Sequence, residues 1–131
     1  MYSADIHGTW ELLEFLLERS SGQRDIWGTK VRGYLFYAST GHMSVSINRD
    51  PSPNLADGVN QAQANFDAGL FYAGTYKLDG SIIVHQVTVA SDLRRVGKEM
   101  LRFASLDGDT LTLKSPKEDF GTAVLTWRRL K

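Results

Sequence analysis

Tyr72, Tyr76 and His85 fall within one short stretch, "YAGTYKLDGSIIVHQVTV". An imidazole with a pKa near about 6.5 can take or give a proton at physiological pH. A phenol on a neighbouring strand can hydrogen-bond to it or to a carbonyl. His85 stands in a largely β-branched segment, 81–89, the composition strands favour. It can be a core histidine with a satisfied hydrogen bond, a residue lining a ligand site, or a proton carrier. Tyr72 and Tyr76, on one face of a strand, stack along the same wall, and buried hydroxyls there need partners. His85, Tyr76 and Tyr72 are therefore the candidate catalytic residues.

The elements that must position them read as strands. Gly8 to about Leu17, Lys30 to Ala38, His42 to Arg49, 70–78, 81–89, Glu99 to Leu106, Thr110 to Ser115 and 122–130 each carry strand patterning. "GQRDIWG" (22–28) reads as a loop and "STG" (39–41) as a tight connection. Asp79-Gly80 and Asp107-Gly108 are hairpin signals. "DPSPN" (50–54) is rich in breakers, and 55–69 reads as a short helix or lid. Eight antiparallel strands with short connections close most economically into an all-β, up-and-down barrel, with that helix between the third and fourth strands. A sandwich of two four-stranded sheets is the competing architecture. A barrel of this size can hold one small ligand.

Alternation sorts the interior. Ile83, Val87 and Val89 go inward with His85, and Gly74 with Tyr72 and Tyr76. Met43, Val45 and Ile47 go inward, as do Leu111, Leu113, Leu125 and Trp127. Two strands are ambiguous. On 30–38, Leu35/Tyr37 compete with Tyr34/Phe36. On 99–106, Leu101/Phe103 compete with Met100, Arg102 and Ala104. The candidate ligand wall is therefore Tyr37, Met43, Val45, Ile47, Val87, Arg102, Phe103, Leu125 and Trp127: apolar surfaces with few polar tips, as in small-molecule pockets. A fully packed core has the same composition. Arg94, Arg95 and Lys98 form a basic loop, by default solvated, in the sharper reading a clamp on an acidic ligand.

The chain of 131 residues suits one domain, 1–131. Lys+Arg and Asp+Glu both number 15, a balance unlike that of a nucleic-acid binder. There is no cysteine, which rules out thiol catalysis and disulfides and points to the cytoplasm. No signal-peptide pattern or membrane-length apolar run is seen. The three histidines lack ligand spacing, and hydrolase, P-loop and dinucleotide motifs are missing. No metal, cofactor, nucleic acid or membrane partner is expected; a homodimer is left open.

"Gly8-Thr9-Trp10" opening the first strand and Arg128-Arg129 closing the last resemble the lipocalin and wider calycin pattern, in which the tryptophan plugs the barrel floor under a basic residue. The ordered set "GTWEL", "RGYLFYASTGHMSVSI", "YAGTYKLDGSIIVHQV", "LRFASLDGDTLTLKSP" and "LTWRRL" is more similar to the small intracellular lipocalin-like domains of bacteria and fungi. That resemblance implies a barrel with a ligand-sized interior and places Arg102 inward, where a buried cation needs a carboxylate or a ligand oxyanion. Some such barrels act without cofactors as cyclases or isomerases on polyketide or terpenoid intermediates. The expected function is accordingly binding of a hydrophobic small molecule, as a cofactor-independent cyclase, isomerase or dehydratase. The alternative is a non-catalytic intracellular carrier or sensor. Classical lipocalins carry lipids, retinoids and odorants outside cells, and the lack of cysteine and of a signal sequence separates this chain from them.

Overall fold

Stretches that alternate apolar and polar residues become strands in the computed structural model, which describes residues 1–50 and 60–131. In chain order the elements are α1 (Ser3–Ile6), β1 (Gly8–Glu18), β2 (Arg24–Ile26), β3 (Arg32–Tyr37), β4 (His42–Asn48), α2 (Gln61–Asp67), β5 (Gly69–Asp79), β6 (Ile82–Ala90), a 3-10 turn (Leu93–Arg95), β7 (Glu99–Asp107), β8 (Thr110–Lys114) and β9 (Thr122–Leu130). Every pairing is antiparallel. β1 and β3 to β9 succeed one another around the sheet, and β1 pairs with β9 to close an eight-stranded barrel rather than a sandwich. Gly80 holds φ +63, the left-handed turn that the β5–β6 hairpin requires.

Three local differences from the sequence reading have physical reasons. The 22–28 loop contains β2, which pairs with Leu16–Glu18 of β1, while Asp25 is tied to Arg19 at 2.8 Å. β1 thus leaves β3 after Glu11 and takes up β2 at Leu16. The helix expected over 55–69 is α2, Gln61–Asp67, started by the Asn60 side chain accepting from the Gln63 N–H. The part of that expectation over 55–59, and of the turn over 51–54, lies outside the described residues. α1 is a single turn, too short for periodicity to reveal.

Both ambiguous strands resolve. Leu35 and Tyr37 are buried inside and Tyr34 and Phe36 lie outside. On β7, Met100, Arg102, Ala104 and Leu106 take the inner face, so Phe103 is a correction. Strict alternation with Arg102 puts Phe103 on the outer surface, 45% exposed, and removes it from the candidate ligand wall. Val89 is a second correction at 60% exposed. Ala73 pairs with Val89 but Gly74 with Val87, so Thr88 is an extra residue that reverses the facing of Val89. Gly74 belongs to this bulge: a Cβ there would collide with the Gln86 carbonyl.

One end of the barrel is plugged. Trp10 is completely buried, and its indole N–H donates to the Ile6 carbonyl at 3.0 Å. The Arg129 guanidinium lies 4.3 Å over the Trp10 ring. It also donates to the carbonyls of His7 (2.8 Å) and Asp5 (2.6 Å), pinning α1 across the floor. Arg128 points the other way, to Glu11 at 3.0 Å.

Candidate functional site

His85 is 2% exposed on the inner face of β6. Its Nε2 lies 2.6 Å from the Tyr37 hydroxyl of β3, and its Nδ1 lies 2.7 Å from the Tyr72 hydroxyl of β5. A neutral imidazole has one N–H and one lone pair. One tyrosine therefore donates to the ring and the other accepts from it. His85 is the only side-chain hydrogen-bond partner of the deeply buried Tyr37 among the described residues. If Tyr37 accepted, its own proton would be stranded, which costs more than a paired one. Satisfying every proton makes Tyr37 donate to Nε2 and Nδ1–H donate to Tyr72. The Tyr72 O–H is then left to serve the space beside it.

The electrostatics agree with a neutral relay. Burial first, and the charge of Arg102 second, push His85 down to about 3. Burial raises both phenols. For Tyr72 this is opposed by the guanidiniums of Arg102, which lies beside its hydroxyl, and Arg95. At neutral pH the ring is uncharged and both tyrosines are protonated. The arrangement transmits hydrogen-bond polarity and does not store a proton.

The space beside Tyr72 is a cavity of about 590 Å³, within the range of small-molecule sites. Its wall includes Leu35, Val45, Tyr72, His85, Met100, Arg102, Leu113, Leu125 and Trp127, with Phe15 and Trp27 stacked at 4.6 Å on one side. Its mouth is framed by Phe66 and Asp67 of α2, by Ser91, Asp92, Arg94 and Arg95 after β6, and by Glu118 and Phe120 before β9. Among the described residues, no three His, Cys, Asp or Glu converge as metal ligands.

A family model described as a lipocalin-like domain matches residues 7–130. The chain belongs to this family. No curated protein sequence matches it. Two crystal structures of single-site variants of the fluorescent protein UnaG are similar. One shares 18% identity over 98% of both chains, with a TM-score of 0.48. The other shares 16% over 95% of this chain and 96% of that one, with a TM-score of 0.45. Identities this low carry neither a ligand nor an activity across.

Within this lipocalin-like barrel the candidate residues separate into two groups. Tyr72, His85, Val45, Arg102, Leu125 and Trp127 line the cavity. Met43, Ile47, Val87, Tyr37 and Tyr76 are buried outside its wall, in the packed core. Tyr76 is the instructive case. Register places it directly opposite His85, yet its hydroxyl donates to the Ala38 carbonyl at 2.8 Å and its ring packs on Tyr37 at 4.7 Å. Tyr37, read from the sequence as a wall residue, bonds His85 in its place, alongside Tyr72. Sequence reasoning missed Phe15, Trp27, Phe66 and Phe120, which come from strand ends, a loop and a helix where no period-2 signal assigns a face.

Proposed function

We propose that this lipocalin-like barrel binds a hydrophobic small molecule carrying a hydrogen-bond acceptor, and that it acts by holding that molecule. The observation that carries this reading is the neutral Tyr37–His85–Tyr72 relay ending at the wall of an aromatic-lined cavity of about 590 Å³. An acceptor on the ligand takes the Tyr72 O–H, and the apolar remainder covers Phe15, Trp27, Leu113 and Leu125. The absence of cysteine supports work in a reducing, cytoplasmic compartment. Among the described residues no helix is long and apolar enough to cross a membrane.

The test is titration with the neutral fluorophore N-phenyl-1-naphthylamine, monitored by its emission and by quenching of Trp27 and Trp127. Saturable one-site binding is expected, and Leu125→Trp should abolish it by filling the cavity while circular dichroism stays unchanged. Binding that survives the filled barrel would remove the interior as the site.

A second reading is cofactor-independent cyclisation, isomerisation or dehydration of a polyketide- or terpenoid-like intermediate. It is favoured by the placement of Arg102 beside the Tyr72 hydroxyl, a donor able to polarise a carbonyl as charge develops on it. Binding in one folded shape would supply the rest of the acceleration. His85 would orient and polarise Tyr72, since a group titrating at about 3 is not a base at neutral pH. Turnover of a polyketone probe that slows at least tenfold in Tyr72→Phe, with binding retained, supports this reading; equal rates retire it.

A further inference from the structure

The polar groups inside the cavity are not balanced between donors and acceptors. Arg102 stands on the inner face of β7, half-buried, and Arg95 reaches the cavity from the turn after β6. Neither pairs with a carboxylate among the described residues. Among the described residues Arg102 donates to the carbonyl of its own neighbour, Leu101, at 2.7 Å and lies beside the Tyr72 hydroxyl, with no acidic partner. The neighbouring cation, Arg94, is by contrast closed onto Asp92 at 2.8 Å. Among the described residues, the side-chain charges that act on Tyr72 are the guanidiniums of Arg102 and Arg95.

Two further polar tips have the same character, while the Ser91 and Ser115 hydroxyls of the lining donate to the backbone carbonyls of Phe71 and Pro116. Proton counting leaves the Tyr72 O–H free to donate. Trp127, also on the wall, carries the one buried side-chain nitrogen without a partner among the described residues. The cavity's carboxylates, Asp67, Asp92 and Glu118, lie on the helix and loops of the mouth. Asp92 is spent on Arg94, and Asp67 accepts from Gln63 at 2.9 Å. An unpaired guanidinium on a barrel wall is costly unless an anion meets it, and its planar fork matches a carboxylate's two oxygens.

We propose that the ligand is an amphiphilic carboxylate whose anionic end is held by Arg102 and Arg95, with Tyr72 donating a further hydrogen bond and the hydrocarbon end lying against Leu113, Leu125 and Trp27. This assignment of ligand class rests on the interior-binding reading. It gives the Tyr37–His85–Tyr72 relay a direction: protons are ordered so that Tyr72 donates toward the anion.

The experiment compares three probes with the same chain: dodecanoate, 1-dodecanol and dodecylammonium, each titrated by tryptophan quenching against wild type, Arg102→Gln, Arg95→Gln and Arg102→Lys. Dodecanoate should bind at least tenfold tighter than dodecanol, and dodecylammonium weakest. Arg102→Gln should erase the preference for dodecanoate while leaving dodecanol binding within about twofold, and Arg102→Lys should restore part of it. Arg95→Gln should reduce the preference less, and it carries the test if Arg102→Gln does not fold. Equal binding of acid and alcohol by wild type overturns the carboxylate assignment and leaves the interior site standing. Tighter binding of dodecylammonium overturns it in favour of the mouth carboxylates. Failure of all three probes, together with failure of N-phenyl-1-naphthylamine, removes the interior site itself.

Discussion

At one end of the barrel, Trp10, α1 and Arg129 fill the space between the strands, and Tyr37 and Tyr76 stack above them. At the other end the same strands surround a cavity of about 590 Å³. Apart from the bulge at Thr88, the inner faces alternate at both ends, so alternation alone does not decide which half is hollow. The difference comes from what closes each end. The floor is closed by a buried indole with its hydrogen bond met and a cation on its face. Among the described residues, the mouth is framed by one short helix and two loops whose aromatic residues, Phe66 and Phe120, are about 41% exposed. Packing fills the floor and leaves a cavity behind the mouth.

If that division holds, Trp10→Ala should have the largest effect on stability. Emptying the floor should cost about 3–5 kcal/mol in denaturant unfolding. A smaller loss would mean the plug is dispensable. The boundary between the halves is probed by pH. In the unfolded chain His85 takes its proton near 6.5, in the folded barrel only at about 3. Between those values the unfolded chain binds more protons, so stability is complete above about 6.5 and falls as pH drops through the window, by at most about 1.4 kcal/mol per unit. Unfolding midpoints from pH 6.5 to 4.5 should fall more steeply in wild type than in His85→Gln.

Tyr37→Phe should cost about 1–3 kcal/mol by leaving Nε2 buried without its donor. Because the tautomer is no longer set, it should also weaken dodecanoate more than dodecanol. Arg129→Met should cost about 2 kcal/mol or less, the range for a cation lifted from an aromatic face with its hydrogen bonds, while ligand affinity stays the same. Phe66→Ala should change stability by no more than about 0.5 kcal/mol. Stopped-flow displacement should nevertheless show probe leaving several-fold faster. A Phe66 variant that unfolds, or an Arg129 variant that loses ligand, would break the division between floor and mouth.

Much of the fold is readable in the chain. The hairpin pairs Asp79-Gly80 and Asp107-Gly108 and the clean alternation of Met43, Val45 and Ile47 point to an antiparallel all-β fold, and the pairing of β1 with β9 decides for the barrel over the sandwich. Trp10 and Arg129 come from a resemblance, and the structure shows the contact itself at 4.3 Å. Period-2 reasoning fails where its assumption fails. One extra residue at Thr88 turns Val89 outward, and on β7 two apolar residues compete with an arginine for the inside. There Phe103 loses to Arg102 because the interior beside that strand is a cavity, where an extended cation can lie. The state of His85 is not legible either. Its position is, but desolvation depends on what the other strands bring, and burial moves it far from the pKa that makes it look like a proton carrier.

The hand-over along β1 has a kinetic consequence. Between Glu11, the last residue paired with β3, and Leu16, the first paired with β2, the wall is closed on that side, among the described residues, largely by side chains. Phe15 packs against Trp27, Arg49 lies 5.7 Å over the indole, and the Trp27 backbone N–H donates to the Phe15 carbonyl at 3.0 Å. Paired strands part in collective motions of microseconds to milliseconds, whereas side chains rotate in picoseconds to nanoseconds. A molecule leaving by this seam would wait on side-chain rotamers and one backbone hydrogen bond, as it waits on Phe66 at the mouth, so side-chain gates and not strand pairing set its residence time.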